Sequence, residues 1–360
     1  MRAVADMWPL SRSRFPGRNP SAWGCVLLVL GCSNAPAPGD LQPSPAELEA
    51  LRNCSAPNTE HVASIPEWVA AKLHSWAYEP LSIDALNQVM AAARALDTGD
   101  LGTASVAARL GNYELVPLQT DTACLVLLQP TAAAPVGQAQ LIYAPGFARD
   151  LVIEAPHVPE DHGTDAEAAL LFEGLDAKVL ILAGAHRCAV TTNSGCRASN
   201  QCNKVGIPVE SDPAHSVRNA VNAMHLGLRA SSSTILQLHT NFRADVNGDA
   251  RISNGTRYPI PGTAADAFFA ALAAPDIDAR WCNDPSAPPE AGAFCGESNT
   301  QGLASNGAAD QCQGRPSAAG GPEQHRFIHL EQSNARMGAD GDWTPRIQAA
   351  LAAAIPTRAP

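Results

Sequence analysis

The stretch 151–165, LVIEAPHVPEDHGTD, sets His157, Glu160, Asp161 and His162 directly behind a run of apolar residues. An imidazole and a carboxylate three or four residues apart can be turned toward one point by a single turn of chain, and a nitrogen paired with an oxygen suits a divalent cation. Two later apolar runs end in comparable chemistry: ILQLH stops at His239, and RFIHLEQS carries Glu331. A catalytic zinc takes three protein ligands, commonly two His and one carboxylate, and keeps one position open for water. His157, His239 and either Asp161 or Glu160 meet that count. The spacing leaves Glu160 against Asp161 open, and His162 reads as a bystander.

These groups need elements to hold them. Amphipathic helices are predicted from Ile65 and from Ser82 to Leu96, where Pro66 and Ser82 supply first-turn and capping signals. Strand patterns follow as YELVPLQ, ACLVLLQ and QLIYAPG. After residue 150, strands alternate with helices: LVIEAPH, a helix over 165–175, KVLILAG, a helix over 213–228, TILQLH, a helix over 264–272, RFIHLE, and a last helix over 343–355. Alternation of this kind, with near-continuous Val, Ile and Leu in the strands, predicts an α/β fold. Its central sheet is mostly parallel or mixed, with helices on both faces. In such sheets function gathers beyond the carboxyl ends of the strands. His157, His186, His239 and Glu331 all fall there.

In motif order, Pro156-His157 with Asp161 and Gly163-Thr164, then Gln237-Leu238-His239, then His329-Leu330-Glu331-Gln332-Ser333 with Arg336, resembles the N-formylglutamate amidohydrolase-like proteins. It is also similar to their relatives, the zinc carboxypeptidases and the phage-type poly-γ-glutamate hydrolases. The resemblance covers roughly 150–350. It implies an α/β fold of the phosphorylase/hydrolase kind and one Zn2+ held by His157, His239 and an acidic residue. The carboxypeptidase pattern assigns that acid to Glu160, the formylglutamate pattern to Asp161. Glu331 matches the carboxylate that takes a proton from the attacking water and returns it to the leaving amine. The implied reaction is hydrolysis of an amide near a carboxylate, in an N-acyl amino acid or a peptide-like substrate. Arg187 and Arg336 are candidates to clamp that carboxylate or a developing oxyanion, because guanidinium offers paired donors. His186 joins them as a substrate-side candidate. For Asp212, in Ser211-Asp212-Pro213, capping of the following helix is the expected role.

Asp245-Val-Asn247-Gly-Asp249 resembles the start of a calcium loop of the EF-hand type, where alternating oxygens surround a hard cation. Ala250 stands where that turn needs Gly, and Thr256 where it needs a bidentate Glu, so the bland reading of Asp245, Asn247 and Asp249 is a polar loop without Ca2+.

The chain opens with Arg2, Arg12, Arg14 and Arg18 before a short apolar segment over 22–30 that ends in Leu30-Gly31-Cys32. The segment is too short to span a bilayer and fits a secretory signal, and its end resembles a bacterial lipobox. Residues 1–31 are then a signal peptide, Cys32 carries the lipid, 32–55 form a Pro/Ser/Ala-rich tether, and 56–360 form one catalytic domain. The expected location is the cell envelope, with contact to the membrane through the lipid alone. Beyond Cys25 and Cys32 there remain eight cysteines, an even number that suits disulfides in an oxidising compartment. Cys188, Cys196 and Cys202 group in one loop. Cys282, Cys295 and Cys312 group in another, inside a predicted surface insertion over 276–322. A formal charge of −11 argues against nucleic acid, which needs a basic footprint. The competing readings are a lipid-anchored protein that binds metal or peptide without turnover, and a serine hydrolase. The second lacks any Gly-x-Ser-x-Gly elbow to mount its nucleophile.

Overall fold

Among the described residues, ten strands make one mixed sheet in the order β1-β2-β3-β4-β6-β5-β7-β10-β8-β9. They are β1 (Glu60–His61), β2 (Tyr113–Gln119), β3 (Cys124–Pro130), β4 (Gln140–Tyr143), β5 (Arg149–Ala155), β6 (Ala177–Leu182), β7 (Thr234–Asn241), β8 (Ala250–Ser253), β9 (Ala279–Trp281) and β10 (Phe327–Ser333). The computed structural model describes residues 41–360 except 73, 199–201, 203–205, 230–231, 242–247, 286–293, 318–323, 340–342 and 359–360. Residues 1–31, read as a signal peptide, Cys32, Asp245 and Asn247 lie outside the described residues. From Pro38 onward the chain forms one unit. No helix among the described residues is long and apolar enough to cross a membrane.

The described helices are α1 (Pro45–Arg52), α2 (Ile65–Ala71), α3 (Ile83–Asp97), α4 (Leu101–Leu110), α5 (Thr164–Gly174), α6 (Ala220–Leu228), α7 (Ala264–Leu272), α8 (Thr300–Ser305), α9 (Asn334–Ala339) and α10 (Trp343–Ala354). The centre of the sheet, β6-β5-β7-β10, is parallel, while β2-β3-β4 joins β6 by antiparallel pairing and β8 joins β10 likewise. β6 is buried at every residue, as a strand covered on both faces must be. The chain steps from β5 through α5 to β6 on one side, then returns through α6 to β7 on the other side of β5. Right-handed crossovers in opposite directions send α5 and α6 to opposite faces. α2, α5, α7 and α10 pack together on one face, and α3, α4, α6 and α8 on the other. β5 and β7 therefore meet where the connections diverge, and in open α/β sheets such a switch point leaves a crevice at the strands' carboxyl ends. α6 lies so close to α3 that a Cβ on Gly227 would come 2.5 Å from the Met90 carbonyl oxygen.

Four expectations need correction. Residues 45–52 of the supposed tether are helical. Ser44 and Glu47 close a capping box, Leu51 is buried, and Cys54 is bonded to Cys124 of β3. The helix expected over 213–228 is split into a 3-10 turn, Pro213–His215, and α6. Asn219 caps α6, and Asp212 makes no cap hydrogen bond. After Asp249 the expected polar loop is replaced by β8, which runs through the core with Ile252 fully buried. Asp249 gives both carboxylate oxygens to Arg336, at 2.9 and 3.0 Å, and one also accepts the Asp278 N–H. The 276–322 segment returns to the body: β9 pairs with β8, and Asn299, Thr300 and Gln301 are buried. Cys188–Cys202 and Cys282–Cys295 stay within their loops, whereas Cys196–Cys312 joins the two loops.

Candidate metal centre

β5 ends at Ala155, and the turn after it folds Asp161 back over His157. The Asp161 N–H donates to the His157 carbonyl at 2.9 Å, and the Thr164 hydroxyl holds the Asp161 carbonyl at 2.7 Å. β7 brings His239 to the same crevice. His157 Nδ1 and His239 Nδ1 lie 3.0 Å apart, and Asp161 Oδ2 is 3.2 Å from the first and 3.0 Å from the second. All three side chains are buried. On β10, His329 and Glu331 share a face by the two-residue period of a strand, and Glu331 stands in register with His239.

The protons on the imidazoles follow from their outer partners. Asp212 Oδ1 lies 2.9 Å from His157 Nε2, and an ionised carboxylate only accepts, so Nε2 carries the hydrogen. For His239 the argument runs through an amide. Gln237 Nε2 donates to Glu154 Oε2 at 2.9 Å, and the opposite amide orientation would set oxygen against carboxylate. Gln237 Oε1 therefore faces His239 Nε2 at 2.9 Å and also accepts from Asn299 Nδ2. Glu154 is held in turn by His225 Nδ1 at 2.8 Å. In their neutral forms both imidazoles thus keep their hydrogens outward and turn bare Nδ1 lone pairs toward each other and toward a carboxylate oxygen. Three acceptors converging at 3.0–3.2 Å call for a cation between them. Zinc–nitrogen bonds of 2.0–2.1 Å in a tetrahedron put neighbouring ligand atoms about 3.3 Å apart, so the donor set fits the ion in kind and in spacing.

The electrostatics point the same way. Burial opposes ionisation of Asp161, yet His157 and His239 outweigh it and hold the carboxyl below its usual range. Asp212 is held down more strongly, with Arg187 the main opponent of its burial. Burial and Arg187 resist a charge on His157, but Asp161 and Asp212 prevail and raise its pKa. Burial keeps His239 down at about 4. The pair thus holds one positive charge at most, placed on His157. Burial, reinforced by the Asp161 charge, pushes Glu331 up to about 8.

Arg187 enters the site, with Nη1 3.1 Å from His157 Nδ1 and Nη2 2.6 Å from Asp212 Oδ2. Glu160 does not join the cluster, because its carboxylate lies 2.6 Å from His186 Nε2. His186 stacks on exposed Trp76 at 4.0 Å instead of lining the cluster. Arg336 is committed to Asp249 and to the Asp276 carbonyl. Two further donor groups share residues with the first: His157, Asp212 and His215, and His239, His329 and Glu331. In the former, the Arg187 guanidinium already occupies Asp212 and opposes a second cation. The latter adds His329, to which the sequence reading gave no role. Its ring lies 4.7 Å from that of His239 and packs against Gly296, where a Cβ would come within 3.0 Å of it. Its signal was available: alternate residues of one strand share a face, which pairs His329 with Glu331 and Gln237 with His239.

No protein family profile matches the chain, and no curated protein does either. Solved structures do. The N-formylglutamate amidohydrolase of Ralstonia eutropha is 11% identical, covers 61% of this chain and 96% of its own, and has a TM-score of 0.36. A protein of Shewanella baltica described as a metallopeptidase is 12% identical over 61% of this chain and 80% of its own, with a TM-score of 0.30. One of Burkholderia mallei described as a carboxypeptidase is 12% identical over 68% and 62%, also at 0.30. The chain's likeness to these structures is slight in both sequence and shape.

Proposed function

We propose that the protein is a zinc-dependent hydrolase that cleaves an amide bond near a carboxylate, in an N-acyl amino acid or peptide-like substrate. The observation that carries this reading is the convergence of His157 Nδ1, His239 Nδ1 and Asp161 Oδ2 while both imidazoles commit their hydrogens outward. Two imidazoles with one carboxylate suit zinc better than calcium or magnesium, which prefer oxygen alone. When bound, the ion supplies a Lewis acid for the amide carbonyl and makes water easier to ionise. His157, Asp161 and His239 would hold it. Glu331, the carboxylate beside His239, in its ionised form would take the proton from water and deliver it to the departing amine. Asp212 and Gln237 fix the ring orientations. Arg187 is the cation at hand for a substrate carboxylate or a developing oxyanion. Arg336, the other candidate clamp, is held by Asp249.

The same proposal places the protein outside the cytoplasm, anchored by a lipid on Cys32. The basic segment, the apolar run and the cysteine support this, as do four disulfides in the body. Metal analysis of the purified protein and of His157→Ala tests the base of the reading: about one zinc per chain is expected in the first and a large loss in the second. Formyl-amino acids, cell-wall peptides and poly-γ-glutamate, each assayed with a chelator control, then identify the substrate, and Glu331→Gln should abolish turnover while zinc is retained. A wild-type protein that carries no stoichiometric zinc sinks the proposal, and undiminished hydrolysis by Glu331→Gln removes Glu331 from it.

A further inference from the structure

A cavity of about 560 Å³ opens at the amino ends of β7 and β10, where Ile235 and Arg326 stand on its wall. Ile235 precedes His239 by four residues, so at about 3.3 Å per residue the cavity lies roughly 13 Å from the metal centre, at the opposite end of the strand. The protein carries a charge of −11, yet none of the described residues lining this cavity is Asp or Glu. Three are arginines: Arg94 from the last turn of α3, Arg229 at the end of α6, and Arg326. Arg229 gives Nη1 to the Ala304 carbonyl, which anchors its head on the wall, and among the described residues neither Arg229 nor Arg94 meets a carboxylate. His325, 1% exposed, also lines the cavity. Its Nδ1 donates to Asn306 Oδ1, so its buried and unpartnered Nε2 is an acceptor and takes no part in holding an anion.

Like charges gathered around a hollow repel one another until an anion enters, and guanidinium groups offer paired donors that match phosphate and carboxylate oxygens. The volume falls within the range of small-molecule sites and exceeds what an inorganic ion needs, and Leu226 and Ile235 supply apolar wall. We propose that this cavity binds a small organic dianion, its charged oxygens held by Arg94 and Arg229 and its carbon body lying against Leu226 and Ile235. The site is separate from the metal centre and does not depend on the activity assigned there.

The test is titration calorimetry on the full chain carrying His157→Ala, so that the metal centre does not capture the probe. Glutarate and phenyl phosphate at low salt are the probes, one for each kind of charged head, and glutaramide is the neutral control. Saturable binding of at least one anion, with none of glutaramide, is expected. Arg94→Gln and Arg229→Gln should each weaken it about tenfold or more, the worth of a charge-assisted hydrogen bond. Arg94 is exposed, so its replacement leaves folding intact if the Arg229 variant proves unstable. The inference is overturned if no probe binds saturably, if glutaramide binds as well as glutarate, or if folded Arg94→Gln binds as tightly as the parent.

Discussion

Gln237→Met removes an amide that holds His239, Glu154 and Asn299, and more weakly Gln301, while leaving the side chain close to its original length. His239 Nε2 loses its acceptor, Glu154 Oε2 loses one donor, and Asn299 Nδ2 loses its acceptor. A buried polar group left without its partner costs about 1–3 kcal/mol. Glu154 keeps His225, so a total loss of about 3–5 kcal/mol in folding stability is expected. The larger consequence is at the metal centre. Once the outward bond is gone, the His239 proton can move to Nδ1, 3.0 Å from Asp161 Oδ2, where a charge-assisted bond rewards it. That proton then occupies the space a cation needs. Loss of an outer partner of a metal-ligating His typically lowers affinity by about 10–100-fold, which here means about 1.4–2.7 kcal/mol. Competition with a chromogenic chelator reads the affinity, and ¹⁵N shifts of the His239 ring in the metal-free protein read the tautomer. Wild type should show Nε2–H and the variant Nδ1–H. A folded variant with the wild-type tautomer and zinc affinity within a factor of two would refute the amide's role.

Glu331→Gln should change how stability depends on pH. The folded pKa of Glu331 is raised from 4.5 to about 8, so the folded state favours its protonated form. That contribution is fully present below pH 4.5 and is lost as pH rises through about 8. At about 1.4 kcal/mol per unit it amounts to about 5 kcal/mol at most. In chelator, the Gln variant should therefore be the more stable protein at pH 9, with the gap closing toward pH 4.5 in urea titrations, and parallel curves would count against the burial argument. Because the raised pKa of His157 places a proton where the ion would sit, zinc uptake should release protons at acid and neutral pH, and affinity should climb with pH. Calorimetry in buffers of different ionisation enthalpy detects that release, and its absence would show that His157 is already neutral. Replacing both cysteines of Cys196–Cys312, separated by 116 residues, should cost about 4.8 kcal/mol by loop entropy, against about 2.9 for Cys282–Cys295, separated by 13. Equal losses in denaturant titrations would show that native contacts, not chain closure, set the effect.

The parallel centre of the sheet was legible because β5, β6 and β7 are short apolar runs separated by helical patterns, a signal that depends only on local period and length. The edge pieces were not. β8 and β9 are brief, and their pairing with β10 and with each other comes from partners far along the chain. α1 hid in Pro/Ser-rich sequence because composition suggested a linker, although the Ser44 and Glu47 capping pair was there to be read. Asp212 shows how a sound local rule loses to tertiary context. Asp before Pro is a good cap, but the Arg187 guanidinium and two imidazoles offer that carboxylate more than a single backbone N–H can.

The choice between Glu160 and Asp161 illustrates the limit of spacing most clearly. Both can be reached from His157 by one turn, so their positions relative to it carry no preference. The decision is made by groups that sequence proximity does not reveal. His186, delivered by the end of β6, draws Glu160 outward with a 2.6 Å contact. Asp161 is held inward by its own backbone, through the His157 carbonyl and the Thr164 hydroxyl. Exchanging the charge of either carboxylate should therefore have unequal effects. Asp161→Asn removes the only carboxylate of the three-donor cluster and should abolish zinc retention. Glu160→Gln leaves that cluster intact, loosens His186 on Trp76, and should leave zinc content at the wild-type level when measured by metal analysis. If Glu160→Gln loses the ion and Asp161→Asn keeps it, the turn after β5 presents the other carboxylate, and the donor set described for this protein is wrong.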